Sequence, residues 1–98
     1  MAIGLLATIT VQDGKNAEFE EAFLNLTEQV RANEPGNNFY ALHKSPVDSQ
    51  VYRVMEQYEN QEALEAHGKT EYFLKASAQL AGLVARAPEI EVMEAVTR

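Results

Sequence analysis

The hydrophobic period of this chain changes from two to about 3.6 and back again, and that switching limits the folds open to it more than any other feature. Ile3 to Val11 is rich in Ile, Leu, Val and Thr and stops at Asp13-Gly14, a turn signal, so it reads as a first strand. From Lys15 to Asn33, Phe19, Ala22, Phe23, Leu26 and Val30 fall on one stripe, with Glu18, Glu20, Glu21, Glu28 and Arg31 mostly elsewhere, which is an amphipathic helix. Glu34-Pro35-Gly36 ends it, because Pro35 disfavours helical geometry at Glu34 and Gly36 tolerates left-handed angles.

Period two then returns. Asn38 to Lys44 and Val51 to Tyr58 are strand-like runs joined by Ser45-Pro46-Val47-Asp48-Ser49, whose turn formers suit an antiparallel hairpin. Asn60 caps a short helix to about Gly68. Thr70 caps a longer one that carries Phe73, Leu74, Ser77, Leu80 and Val84 inward and stops at Ala87-Pro88. Glu89 to Val96, alternating Ile90, Val92 and Val96 against Glu91, is the last strand.

Strand, helix, strand, strand, helices, strand is the ferredoxin-like βαββαβ order, an α+β fold with a four-stranded antiparallel sheet and its helices on one face. The 98 residues form a single domain, 1–98, without a visible repeat, linker or low-complexity segment. A chain of this length hides only about two thirds of the surface it exposes when unfolded, so the core is thin. The second sheet face also carries apolar residues. In the first strand Ile3, Leu5, Ala7, Ile9 and Val11 oppose Gly4, Leu6, Thr8 and Thr10; in the second Phe39 and Ala41 oppose Tyr40 and Leu42; in the third Val51 and Met55 oppose Tyr52, Val54 and Tyr58. An open face of that kind exceeds the apolar patch usual on a monomer. A face-to-face homodimer, two sheets packed as a barrel, resolves it; the alternative is a monomer with a semi-polar second face.

Charge and cysteine usage exclude several functions. A net charge of −7 with only eight Lys and Arg does not form the cationic surface that a nucleic-acid backbone requires. Absent cysteine removes disulfides, thiolate catalysis and Cys-based zinc sites. MAIGLLATIT lacks a basic n-region and a cleavage site, and no apolar run approaches the roughly 18 residues of a membrane span. The expected location is cytoplasmic, with no nucleic-acid or membrane partner.

In Tyr52-Arg53-Val54-Met55-Glu56-Gln57-Tyr58, period two puts Glu56 in an apolar row with Tyr52, Val54 and Tyr58. Under the helices such a carboxylate must be neutralised, paired or hydrogen-bonded. His67, on the inward stripe of the short helix with Ala63 and Leu64, is one partner for it, and a glutamate holding an imidazole makes a general base. Another reading has His67 satisfying a helix-end carbonyl and dipole, and Glu56 paired with a sheet-edge lysine or arginine. Tyr40, Tyr58, Tyr72 and Phe73 either line a pocket for a flat aromatic ligand or are core. His43 falls on the dimer side. No glycine-rich phosphate loop, G-x-S-x-G elbow or H-E-x-x-H occurs, and with His43 and His67 on opposite faces no metal site is expected.

Three segments in order resemble the antibiotic biosynthesis monooxygenase family: Glu34-Pro35-Gly36-Asn37-Asn38-Phe39-Tyr40-Ala41-Leu42-His43-Lys44-Ser45, Val51 to Tyr58 with Glu56 and Tyr58, and Ala63-Leu64-x-x-His67-x-x-Thr70-x-Tyr72-Phe73. The resemblance implies a dimeric α+β barrel with a pocket between sheet and helices in each subunit. It also implies oxidation of quinols or polycyclic phenols by molecular oxygen without flavin, haem or metal. By position, His67, Glu56 and Tyr72 match the family's pattern as catalytic residues, with Tyr40, Tyr58 and Phe73 as substrate-binding residues. The third strand often ends in tryptophan in this family, whereas this chain has Tyr58 and no tryptophan, so haem degradation is not expected. The leading expectation is a cofactor-independent quinol monooxygenase with His67 as base or orienter, Glu56 as its support and Tyr72 as a pocket hydrogen-bonder. The alternatives are a non-catalytic barrel holding a small hydrophobic ligand and an isomerase or lyase acting on a small carbonyl compound.

Overall fold

The computed structural model describes residues 1–97. The elements run β1 (Ile3–Thr10), α1 (Asn16–Asn33), β2 (Asn37–Lys44), β3 (Val51–Tyr58), α2 (Gln61–Lys69), α3 (Glu71–Ala81) and β4 (Glu89–Glu94). The sheet order is β2-β3-β1-β4, all antiparallel, which is the ferredoxin-like arrangement. Gly14, the one residue at positive φ among the described residues, makes the turn from β1 into α1.

Register follows from the period-two rows. Leu5 stands between Glu56 and Val92, and Ala7 between Val54 and Ile90. The sheet row meets the α1 stripe, and Ala7, Ile9, Val11, Tyr40, Tyr52 and Val54 bury against Phe19, Phe23, Leu26 and Val30. Each fully buried Phe, Leu or Val here stabilises the fold by roughly 1.5–3 kcal/mol relative to exposure. Phe19 packs on Tyr52 with ring centroids 4.8 Å apart, and Phe23 stacks on Tyr40 at 5.7 Å, fixing α1 across β2 and β3.

Both predicted caps form: the Asn60 side chain accepts from the Ala63 N–H and the Thr70 hydroxyl from the Phe73 N–H. Three details of the C-terminal third depart from the sequence reading. α3 stops at Ala81 instead of Ala87-Pro88, because the following chain pairs with the end of β1: Gln12 N–H donates to Leu83 O, Ala85 N–H donates to Thr10 O, and Val84 bridges Val11. Leu74 points outward, 58% exposed, since α3 packs chiefly on α1 along its other side. Val96 lies beyond β4 and is exposed.

No helix covers β4. Ile90 (62% exposed) and Val92 (58%) share the row of Ala7 and Leu5 yet face outward from an uncovered edge strand. Phe39, Met55 and Met93 are exposed on the opposite sheet face. No helix among the described residues is long and apolar enough to cross a membrane.

Candidate functional site

Because α3 packs on α1 and α2 more than on the sheet, Phe73, Ser77 and Leu80 stand over a space that the sheet does not fill. The result is a cavity of about 730 Å³. Leu5, Ala7, Ile9, Tyr40, Val54 and Glu56 form its floor; Phe19, Phe23 and Leu26 of α1, Leu64 and His67 of α2, and the α3 residues form its walls. The segment from Val84 to Pro88 and Ile90 border it toward the uncovered edge. The volume falls within the roughly 300–1,000 Å³ of small-molecule sites, and the lining is mostly aliphatic and aromatic.

One end is polar. His67 occupies the last turn of α2, buried, with its ring 4.6 Å from Phe73 and 5.3 Å from both Tyr40 and Tyr58 by centroids. Its Nδ1 lies 3.0 Å from each carboxylate oxygen of Glu34. Glu56 is buried directly opposite Tyr40 across the β2–β3 pair and accepts a hydrogen bond from the Tyr58 hydroxyl at 2.8 Å. Burial pushes the Glu56 carboxyl up to about 7; the Tyr58 hydroxyl opposes this and the nearby Glu34 charge adds to it. This carboxyl therefore changes charge in the neutral range.

The free atoms of this cluster belong to side chains that line the cavity. His67 Nε2, Glu56 Oε2 and the Tyr40 hydroxyl make no hydrogen bond among the described residues, yet no buried side-chain nitrogen or oxygen among them lacks a partner. These atoms retain contact with open space, and the cavity is the space their side chains border. Burial, followed by the Glu56 and Glu34 charges, drives the Tyr40 hydroxyl far above the ordinary tyrosine range, and Tyr58 is raised for the same leading reason. Both are donors at neutral pH and neither is a base.

The structure thus brings His67, Glu56, Tyr40 and Phe73 to one cavity and places two other expected site residues elsewhere. Tyr58 is fully buried and outside the cavity lining, and it meets the site through its hydrogen bond to Glu56 and its ring contact with His67. Tyr72 borders a separate outer depression of about 490 Å³ together with Glu34, Pro35 and Gly36, and its hydroxyl donates to Glu34 Oε2. It is not among the residues that line the larger cavity. His43 lies exposed on the open sheet face, its Nδ1 3.2 Å from Ala41 O.

The expected Glu56–His67 pair is replaced by Glu34–His67, for a local reason. Pro35-Gly36 turns the chain sharply at the end of α1, and Gly36 lies so close to α2 that an added Cβ would fall 2.8 Å from the Ala63 Cβ. That approach sets the Glu34 side chain under His67, 33 residues away in sequence. Sequence reasoning treated Glu34 only as a helix terminator; its position immediately before a turn that carries no side-chain bulk was the available signal. No group of three or more His, Asp or Glu side chains suited to a metal ion occurs among the described residues.

The family model described as antibiotic biosynthesis monooxygenase matches residues 2–79. A solved structure from Caulobacter crescentus, named a "putative antibiotic biosynthesis monooxygenase", is 46% identical, with 98% of this chain and 91% of that chain covered and a TM-score of 0.96. PA3566 from Pseudomonas aeruginosa is 30% identical over 98% of this chain and 95% of its own, with a TM-score of 0.87. Rv0793 from Mycobacterium tuberculosis shares the fold at 19% identity, covering 100% of this chain and 98% of that chain, TM-score 0.91. No curated protein matches. With most of its length matched by that model, the chain belongs to the antibiotic biosynthesis monooxygenase family.

Proposed function

We propose that this protein is a cofactor-independent monooxygenase that oxidises a quinol or polycyclic phenol with molecular oxygen. The observation that carries this reading is the apolar cavity of about 730 Å³ whose polar end gathers His67, Glu56 and Tyr40. A flat aromatic substrate fills the apolar part and sets its hydroxyl at the polar end. His67 Nε2 removes the phenolic proton, and the resulting phenolate is electron-rich enough to pass one electron to oxygen. The substrate radical and superoxide, held together in the cavity, combine at carbon. The peroxide anion so formed takes back the proton from His67, and the hydroperoxide then loses water, hydroxide leaving with the hydrogen of the same carbon, to give a hydroxylated quinone. For a naphthalene quinol the balance is quinol plus O2 to hydroxyquinone plus H2O, so the substrate is the only reductant. Tyr40 donates to the substrate oxygen, and Phe73 packs on its ring.

Oxygen uptake with a panel of naphthalene quinols and anthrone is the direct test. Saturable consumption with one hydroxyquinone or quinone formed per O2 supports the reading. Tight binding without oxygen uptake leaves a ligand-binding barrel, and carbonyl isomerisation or cleavage without oxygen uptake leaves the isomerase or lyase alternative.

The same reading includes a homodimer through the open sheet face, supported by the exposed Phe39, Met55 and Met93 there. Sedimentation should give twice the chain mass at micromolar concentration, and M55E, placing a charge mid-face, should halve it. A wild-type monomer at that concentration would remove the dimer.

A further inference from the structure

We propose that Glu34 is the positioning residue of the site: it holds His67 with Nδ1 protonated, turns the Nε2 lone pair into the cavity, and stabilises the imidazolium between the two proton transfers. The inference rests on the monooxygenase reading for its role in turnover, although the tautomer it assigns does not. Three observations carry it. Both Glu34 oxygens lie 3.0 Å from Nδ1, so a carboxylate, which only accepts, faces a ring nitrogen that must donate. Nε2 is left without a partner in the chain and borders the cavity through its ring. Glu34 itself cannot swing away, since the Tyr72 hydroxyl donates to Oε2 and the Pro35-Gly36 turn is wedged against Ala63.

Tyr72 suits the clamp because it keeps its proton. Burial, then the hydrogen bond to Glu34, pushes its hydroxyl up to about 12. The proton balance explains why a clamp is enough. Converting quinol and O2 to hydroxyquinone and water releases no net proton, so the proton that His67 takes from the phenol is the one it returns. Nothing has to travel outward through Glu34. Glu34, a half-buried carboxylate, stands behind an imidazole that alternates between neutral and cationic forms, the arrangement that favours the cationic form during that interval. It also separates the two glutamates by role: Glu34 meets His67 from behind, and Glu56 meets the cavity from the floor.

The test has two arms. Nitrogen-15 spectra of ring-labelled protein, with the His67 signals assigned by their loss in H67Q, should show the neutral ring carrying its proton on Nδ1; E34A, which removes the acceptor altogether, should shift the ring toward the Nε2-protonated form that free imidazole side chains prefer. Y72F, which frees Glu34 without touching His67, should give an intermediate pattern. A wild-type ring protonated on Nε2, or spectra unchanged in folded E34A, overturns the assignment whether or not the protein oxidises quinols. In the second arm, E34A should lower kcat for the quinol on the order of 10–100-fold with KM changed by less than about threefold, and E34D should recover part of it. Unaltered kcat in a folded E34A of changed tautomer overturns the role in turnover while leaving the tautomer in place.

Discussion

Glutamine at position 67 is expected to cut quinol turnover by about 10²–10⁴-fold while leaving the protein folded. The size of the loss follows from what is removed. Among the groups that border the cavity, Tyr40 is held protonated by burial and the nearby carboxylates. His67 Nε2 is an uncommitted base, and an amide has no basic lone pair to replace it. The fold should tolerate the change because glutamine keeps the donor that Glu34 needs. A phenylalanine would fill the space among Tyr40, Tyr58 and Phe73 equally well but would remove one of the two donors to the half-buried Glu34 carboxylate, leaving it the Tyr72 hydroxyl, at a cost of about 1–3 kcal/mol. Saturating-substrate kinetics with thermal unfolding on the same preparations checks both halves. Folded H67Q with wild-type kcat would transfer the base to Glu56, whose carboxyl also titrates in the neutral range; E56Q would then be the inactive variant.

The contrast between the two glutamates also shows what the chain discloses before it folds. Strand and helix order, the hairpin, and the caps at Asn60 and Thr70 are local, resting on period and on side chains within three residues of the groups they satisfy. Period two alone puts Glu56 in the apolar row of Tyr52, Val54 and Tyr58, and that row is the one that lies under the helices. Glu34 could not be placed from any period. Its role depends on how tightly α1's end approaches α2, which is decided by the missing side chain at Gly36 and the small one at Ala63. The end of α3 fails for a related reason. Leu83 and Val84 continue an acceptable helical pattern, and pairing with Gln12 and Val11 outweighs it, because unpaired backbone groups at the end of β1 would otherwise be left. The family resemblance and its aromatic ring point Tyr72 to the same pocket as Phe73; successive helical residues point about 100° apart, so one lines the cavity and the other the outer depression.

E56Q should stabilise the protein at pH 8 by roughly 3 kcal/mol and have almost no effect near pH 4, because of what burial does to Glu56. In the unfolded chain this carboxyl loses its proton near 4.5, whereas in the folded protein it holds the proton up to about 7. Below 4.5 both states are protonated and the folded state bears no penalty. As pH rises from 4.5 to 7 the unfolded chain releases a proton that the native state retains, so wild-type stability declines, and above 7 the native state carries a buried anion and the penalty levels off. The Tyr58 hydroxyl softens this penalty without cancelling it, since desolvation is the larger influence. Glutamine has nothing to titrate, and its carbonyl still accepts from Tyr58. The remaining carboxylates contribute alike to both proteins and drop out of the difference. Urea unfolding at pH 4, 6, 7 and 8, at one protein concentration, should therefore give curves for E56Q and wild type that coincide at the acid end and separate through the window from 4.5 to 7. Curves that run parallel across the series would mean that Glu56 is solvated or paired in the folded protein and that no neutral-range carboxyl waits at the cavity floor. Separation, together with retained folding, would mean that the protein gives up stability at neutral pH to keep an ionisable group where an aromatic hydroxyl would bind.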